Sequence, residues 1–254
     1  MTGTEFLGFK FDPLEPGEAL ARVRAMATQS SFSYVITPNV SHVTTLARAQ
    51  SADPARDAMT GADLTLCDSS VLALLARCAG QVLPVVTGSG LVATLLSAVE
   101  VPSRIAVIGG DSALLEELAR KYPRIVWEGF HPGMNLRDDP NGRASIVRFV
   151  EASDAGLFLF SFGAPQSEIT AWEIARRSRA RGVALCSGAA LEFAIGAKRR
   201  APRWMQAMAL EWLFRLVSEP RRLWRRYLVE GPMVFGEFLR WRRRQRDTVQ
   251  SKRA

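Results

Sequence analysis

The chain has 254 residues, 48% of them hydrophobic, with a formal net charge of +8. That length suits one large α/β domain or a domain with an appendage, and a mean hydropathy of +0.02 argues against an integral membrane protein. The charge is local: residues 198–254 carry 16 Lys/Arg against 5 Asp/Glu, and residues 1–197 carry 17 against 20, which suggests a near-neutral body whose basic tail meets an anionic surface.

In chain order, the start Met1-Thr2-Gly3-Thr4-Glu5-Phe6 lacks the basic region and apolar run of a signal peptide. Residues 32–36 read as a strand, Thr37-Pro38-Asn39 as a loop, and a helix is predicted from about Ser41. Residues 63–67 read as a short strand ending at Asp68, followed by an apolar helix over 71–78. The uncharged run 78–99 has the length of a membrane span, but Gln81, Pro84, Thr87, Gly88, Ser89 and Gly90 interrupt it. A buried strand over 82–86, a glycine turn and a helix start fit it better. Strands are predicted at 104–108 and 125–127, with a helix over 113–121 between them, and a surface loop at 134–143. Residues 156–160 and 183–186 read as strands feeding Ser161-Phe162-Gly163-Ala164-Pro165 and Ser187-Gly188-Ala189-Ala190. Strand, glycine-bearing loop and helix in repetition predict a Rossmann-like, mostly parallel sheet with helices on both faces. Ligands of such sheets sit at the carboxyl ends of the strands. From residue 198 on, a basic helical appendage is predicted, broken by Gly231-Pro232 into pieces at about 204–229 and 233–246.

The strand-end loops hold the candidate chemistry. Gly109-Gly110-Asp111-Ser112 could let backbone N–H groups approach a phosphate, or could be a tight turn with Asp111 or Ser112 as the helix cap. Thr37 and Asn39 could bind sugar hydroxyls or a diphosphate, or simply cap the next helix. Asp68 could be a carboxylate of raised proton affinity serving as a general base, or a helix cap. The three cysteines, Cys67, Cys78 and Cys186, show no paired spacing and read as buried thiols in a reducing compartment. No His, Cys and carboxylate cluster has metal-ligand spacing, so neither a metal nor another cofactor is expected. In the tail, Trp204, Trp212, Trp224 and Trp241 stand among the arginines. Such aromatics are costly to leave in water, which disfavours a plain solvated helix, but a lipid surface and a nucleic acid would both suit them.

The order of motifs resembles the WecG/TagA/CpsF glycosyltransferases, glycosyltransferase family 26. The resemblance runs over about residues 6–240 through Thr37 and Asn39; Ala62, Asp63 and Asp68; Val86-Thr87-Gly88-Ser89; and Ile108-Gly109-Gly110. It continues through Tyr122-Pro123 with Gly129 and Gly133, then Gly163-Ala164-Pro165 with Glu168. It closes on Arg200-Ala201-Pro202-Arg203-Trp204 and on Glu211-Trp212 with Arg215-Leu216, Glu219-Pro220 and Arg222. The resemblance implies an inverting transferase that moves a sugar from a UDP-sugar to a polyprenyl-diphosphate-linked sugar without a required metal, in surface or exopolysaccharide synthesis. It implies a cytoplasmic protein bound peripherally to the anionic inner face of the cell membrane. Asp68 then stands where the family has its proposed base, with Thr37 and Asn39 beside it. Gly88, Gly109, Gly110, Gly163, Pro165, Ser167, Glu168 and Glu192 become candidate substrate contacts, and Arg215, Arg221 and Arg225 candidate diphosphate contacts. Nucleic acid is not an expected partner, and self-association into a homo-oligomer is left open. The alternative is a catalytically silent module of the same fold that binds lipid or a partner. The chain departs from the family pattern at Ser69, at Ser89-Gly90-Leu91, at Ser167 in place of glutamine, and at Leu191-Glu192 in place of Phe-Asp. These departures cluster where contacts to the donor sugar are expected.

Overall fold

The computed structural model describes residues 3–98, 102–133 and 135–251. Met1 and Thr2, Val99 of the uncharged run, Met134 of the expected surface loop and residues 252–254 of the basic tail lie outside them. A small antiparallel hairpin opens the chain, β1 (Thr4–Phe6) against β2 (Phe9–Phe11). The main sheet is built from β3 (Phe32–Ile36), β4 (Leu64–Thr65), β5 (Arg104–Ile108), β6 (Val126–Phe130), β7 (Leu157–Phe160) and β8 (Gly182–Cys186). Its order is β4-β3-β8-β7-β5-β6, and every pairing is parallel. The fold is therefore the expected α/β arrangement.

Alternation along the strands explains why helices cover both faces. Tyr34, Ile36, Ala106, Ile108, Phe158, Phe160, Ala184 and Cys186 enter one core. Their neighbours Val35, Ile105, Val107, Leu157, Leu159, Val183 and Leu185 enter the other. Both sets are apolar, so both faces must be shielded from water. Helices Val40–Arg48, Ser70–Cys78, Pro140–Ala152 and Gln166–Arg177 shield the first, with the hairpin residues Phe6, Phe9 and Phe11. Helices Pro16–Met26, Gly88–Ser97, Ser112–Lys121 and Ala190–Ile195 shield the second.

The tail contributes to the first core. Val234 and Phe238 of helix Met233–Ser251 are buried in it, and the Trp241 ring lies 5.1 Å from that of Phe6 in an edge-on contact. No helix among the described residues is long and apolar enough to cross a membrane.

Several local expectations are corrected. Residues 82–86 form no strand, only a single parallel bridge from Val85 to Cys67. The fourth strand shrinks from 63–67 to Leu64–Thr65, and the sixth begins at Val126 and runs on to Phe130. The expected loop at 134–143 ends in helix, because Asp139 caps a helix beginning at Pro140. Cys67 and Cys186 are buried as expected, but Cys78 is exposed at the end of its helix. The expected helix over 204–229 is broken into Arg203–Ala207, Glu211–Ser218, Pro220–Trp224 and a π-helical turn, Arg225–Glu230. Ala209 takes a left-handed conformation (φ 59°), which no continuing α-helix allows. At the second break Pro220 supplies no N–H, and Glu219 leaves helical geometry.

Candidate active site

Asp68 follows β4 at the carboxyl edge of the sheet and is pinned from two sides. Its own N–H donates to the Pro38 carbonyl (3.0 Å), and the Val86 N–H donates to the Cys67 carbonyl (2.9 Å). Its Oδ2 accepts from the N–H of Gly88 (3.1 Å), the first residue of helix Gly88–Ser97. Thr87 caps that helix by accepting from Gly90 N–H. A Cβ at position 88 would lie 2.8 Å from Thr37 Oγ1 and 3.7 Å from Asp68 Oδ2, so only glycine lets these three residues converge. Ser69, not Asp68, caps helix Ser70–Cys78 by accepting from Leu72 N–H. Asp68 is thereby left for another task.

Asp68 opens into a cleft of about 380 Å³ between the body and the tail. Asn39, Ser41 and Thr87 line the body side; Glu211, Trp212, Arg215, Arg226 and Tyr227 line the tail side. The proton affinity of Asp68 is raised to about 7. Burial is the main cause, and Glu211 adds to it; the Gly88 N–H bond and Arg215 oppose it.

The tail supplies cationic charge through Arg215 and Arg226. Arg226 Nε donates to Ser41 Oγ (2.6 Å), and its Nη2 donates to Asn39 Oδ1 (3.3 Å). Burial lowers its pKa, and the nearby Arg215 and Arg222 charges act in the same direction, although a guanidinium stays protonated at neutral pH. The Arg215 guanidinium lies 5.7 Å from the centre of the Phe193 ring.

The other expected residues are placed elsewhere. Arg221 is exposed. Arg225 is 75% exposed, with its Nε 3.8 Å from Glu230. Neither lines the cleft. Ser167 and Glu168 are each 1% exposed, so neither presents a face to the cleft. Ser167 Oγ instead donates to Glu168 Oε2 (2.9 Å), and Glu168 Oε1 meets His42 Nε2 (3.3 Å). Glu192 pairs with Lys198, whose Nζ is also 3.6 Å from Glu219. Gly109 and Gly110, both at positive φ, and Gly163 and Pro165 sit beyond β5 and β7, away from the cleft lining. Asp111 caps helix Ser112–Lys121. Among the described residues, no three His, Cys, Asp or Glu side chains converge to hold a metal ion.

Sequence reasoning gave no site role to Arg226, Ser41, His42 or Glu211, although Glu211 stands in the closing signature. The only available signal for Arg226 was its place in a basic run. Choosing among adjacent arginines needs the helical register, and each break in the tail resets it.

A parallel α/β sheet with a charged cleft beyond its strand ends defines a ligand-binding protein of the doubly wound class. A family model for the glycosyl transferase WecG/TagA/CpsF family matches residues 4–248. The chain belongs to that family: it is a glycosyltransferase, and as such takes a sugar donor and an acceptor.

Proposed function

We propose that the protein is an inverting transferase of surface or exopolysaccharide synthesis, moving a sugar from a UDP-sugar to a polyprenyl-diphosphate-linked sugar. The observation that carries this reading is Asp68, a carboxylate of raised proton affinity facing two arginines across a cleft. In this reaction an acceptor hydroxyl attacks the anomeric carbon while Asp68 takes its proton. The bond from that carbon to the β-phosphate oxygen breaks on the opposite face, and UDP leaves with the electron pair. A base with a pKa near the working pH suits the first event. Fixed cations suit the second, because negative charge grows on the leaving diphosphate. Arg215 and Arg226, which line the cleft, supply them in this reading.

Asn39 orients the reacting hydroxyl beside Asp68, with Thr37 buried behind it against Gly88. The donor nucleotide extends over the ends of β5, β7 and β8; Gly163 leaves open space there, while Gly109 and Gly110 hold their turn tight against Ser161, Phe162 and Leu114. Glu192, tied to Lys198, bears on the donor from the first turn of helix Ala190–Ile195. Residues 198–254 act as an appendage that serves both the site and the membrane. Exposed Trp204, Trp224, Leu228, Phe235 and Leu239 among the arginines fit peripheral attachment to an anionic inner leaflet. The test is a screen of UDP-sugars against a short-chain polyprenyl-diphosphate-sugar acceptor. Transfer from at least one donor supports the reading; release of no UDP with any donor contradicts it.

A further inference from the structure

Beneath the cleft, a chain of contacts joins a fully buried carboxylate to the tail arginine. Glu168 on helix Gln166–Arg177 is held by Ser167 Oγ at one oxygen and faces His42 Nε2 with the other. On the far side of that ring, His42 Nδ1 accepts the backbone N–H of Asn39 (3.2 Å). A nitrogen that accepts there carries no proton, so the ring proton belongs on Nε2, where it is donated to Glu168. The next link is Asn39 itself. Its Oδ1 accepts from Ser41 N–H (3.0 Å) and from Arg226 Nη2, and Ser41 Oγ accepts from Arg226 Nε. The helix start that carries Asn39 and Ser41 is thus fixed from below by His42 and grips the arginine above.

We propose that Glu168 and His42 are positioning residues: as a buried pair they clamp the start of helix Val40–Arg48 at its cap Asn39, and through Asn39 and Ser41 they set the Arg226 guanidinium in the cleft. Glu168 gives His42 one tautomer, and that tautomer fixes the Asn39 backbone. A loosened helix start leaves Arg226 with neither of its two acceptors in place. Neither Glu168 nor His42 touches substrate in this scheme. Where substrate binding enters the test, the inference rests on the diphosphate reading above.

Two readouts need no substrate. The chain has two histidines, so the imidazole ¹⁵N spectrum of the intact wild-type protein is assigned by comparison with His131→Gln. His42 is expected as the Nε2–H tautomer, and an Nδ1–H tautomer overturns the proposal. The Arg226 Nε–H resonance, assigned with Arg226→Lys, is expected to be protected from solvent exchange in wild type and in Glu168→Gln. The Gln amide oxygen still accepts from His42 in that variant. The protection should be lost in Glu168→Leu and in His42→Ala while core amides remain protected. UDP affinity, measured by calorimetry, should fall about tenfold in Glu168→Leu and stay within about twofold of wild type in Glu168→Gln, the scale of one misplaced charge-assisted contact. An Arg226 resonance unchanged in folded Glu168→Leu or His42→Ala overturns the proposal. Failure of the wild-type protein to bind UDP overturns the diphosphate reading instead and leaves the tautomer and arginine results to decide this one.

Discussion

In the proposed reaction Asp68 is the base, and its environment fixes the sign of two pH effects. A base acts only when deprotonated, and burial holds this carboxyl protonated up to about pH 7. The transfer rate kcat/KM is therefore expected to rise with pH through about 7 and level off above it. Stability should move the other way. The folded-state pKa lies above the unfolded value near 3.8, so between these values the native protein binds more protons than the unfolded chain. Its stability then declines as pH rises through that window. Asp68→Asn keeps an acceptor for Gly88 N–H and removes the buried charge, so at pH 8 its melting temperature should match or exceed that of wild type. A lower melting temperature would contradict the placement of a buried carboxylate of raised proton affinity. A second contrast separates adjacent arginines. Arg226→Ala should cost about 10²-fold in turnover, the scale for losing one preorganised donor to a developing charge. Arg225→Ala, exposed and outside the cleft, should stay within about twofold in the same assay.

At the scale of elements, the tail is part of the folded body as well as an arm. Phe238 is 7% exposed within the core that backs the sheet, and Val234 beside it is 1% exposed. Phe238→Ala should cost about 3–5 kcal/mol in denaturant unfolding, the range for a large buried aromatic. A loss below about 1 kcal/mol would mean the helix does not pack there. Elements with a strong local signal were legible in the sequence: Phe32–Ile36 and Arg104–Ile108 are unbroken β-rich runs, and both strands have those bounds. Asp68 was legible too, as an acid at a strand's end. Residues 82–86 looked the same by composition, yet Pro84 lies within the run and its only sheet contact is one bridge. The N-terminal hairpin escaped because three-residue strands carry too little periodicity to be seen. The tail arginines escaped for a different reason. Their order along the chain was plain, but the breaks at Ala209 and Glu219 and the π-helical turn decide which of them reaches Asn39 and Ser41. Likewise Glu168 was legible as a motif residue, while its burial against His42 depends on two helices distant in sequence.

For the whole molecule, the proposal is that a parallel-sheet body, a cleft and a basic tail work together as one interfacial enzyme. The positive charge of residues 198–254 and the exposed aromatics beside it predict binding to anionic vesicles. Each Lys/Arg that reaches the leaflet contributes about 1 kcal/mol. Replacing Arg242, Arg243 and Arg244 together with Gln should weaken vesicle binding in a sedimentation assay, with the difference shrinking as salt is raised. Their removal should leave UDP affinity unchanged; vesicle binding that ignores the substitution would place the contact elsewhere on the tail. The central claim is that the cleft below that tail is where the sugar moves, with Asp68 as the base. The most direct measurement is transfer by wild type and Asp68→Asn, from the UDP-sugar that the wild-type protein uses best to a short-chain polyprenyl-diphosphate sugar. Turnover by the variant is expected to fall by about two to four orders of magnitude with the fold intact; turnover near the wild-type rate would contradict the account.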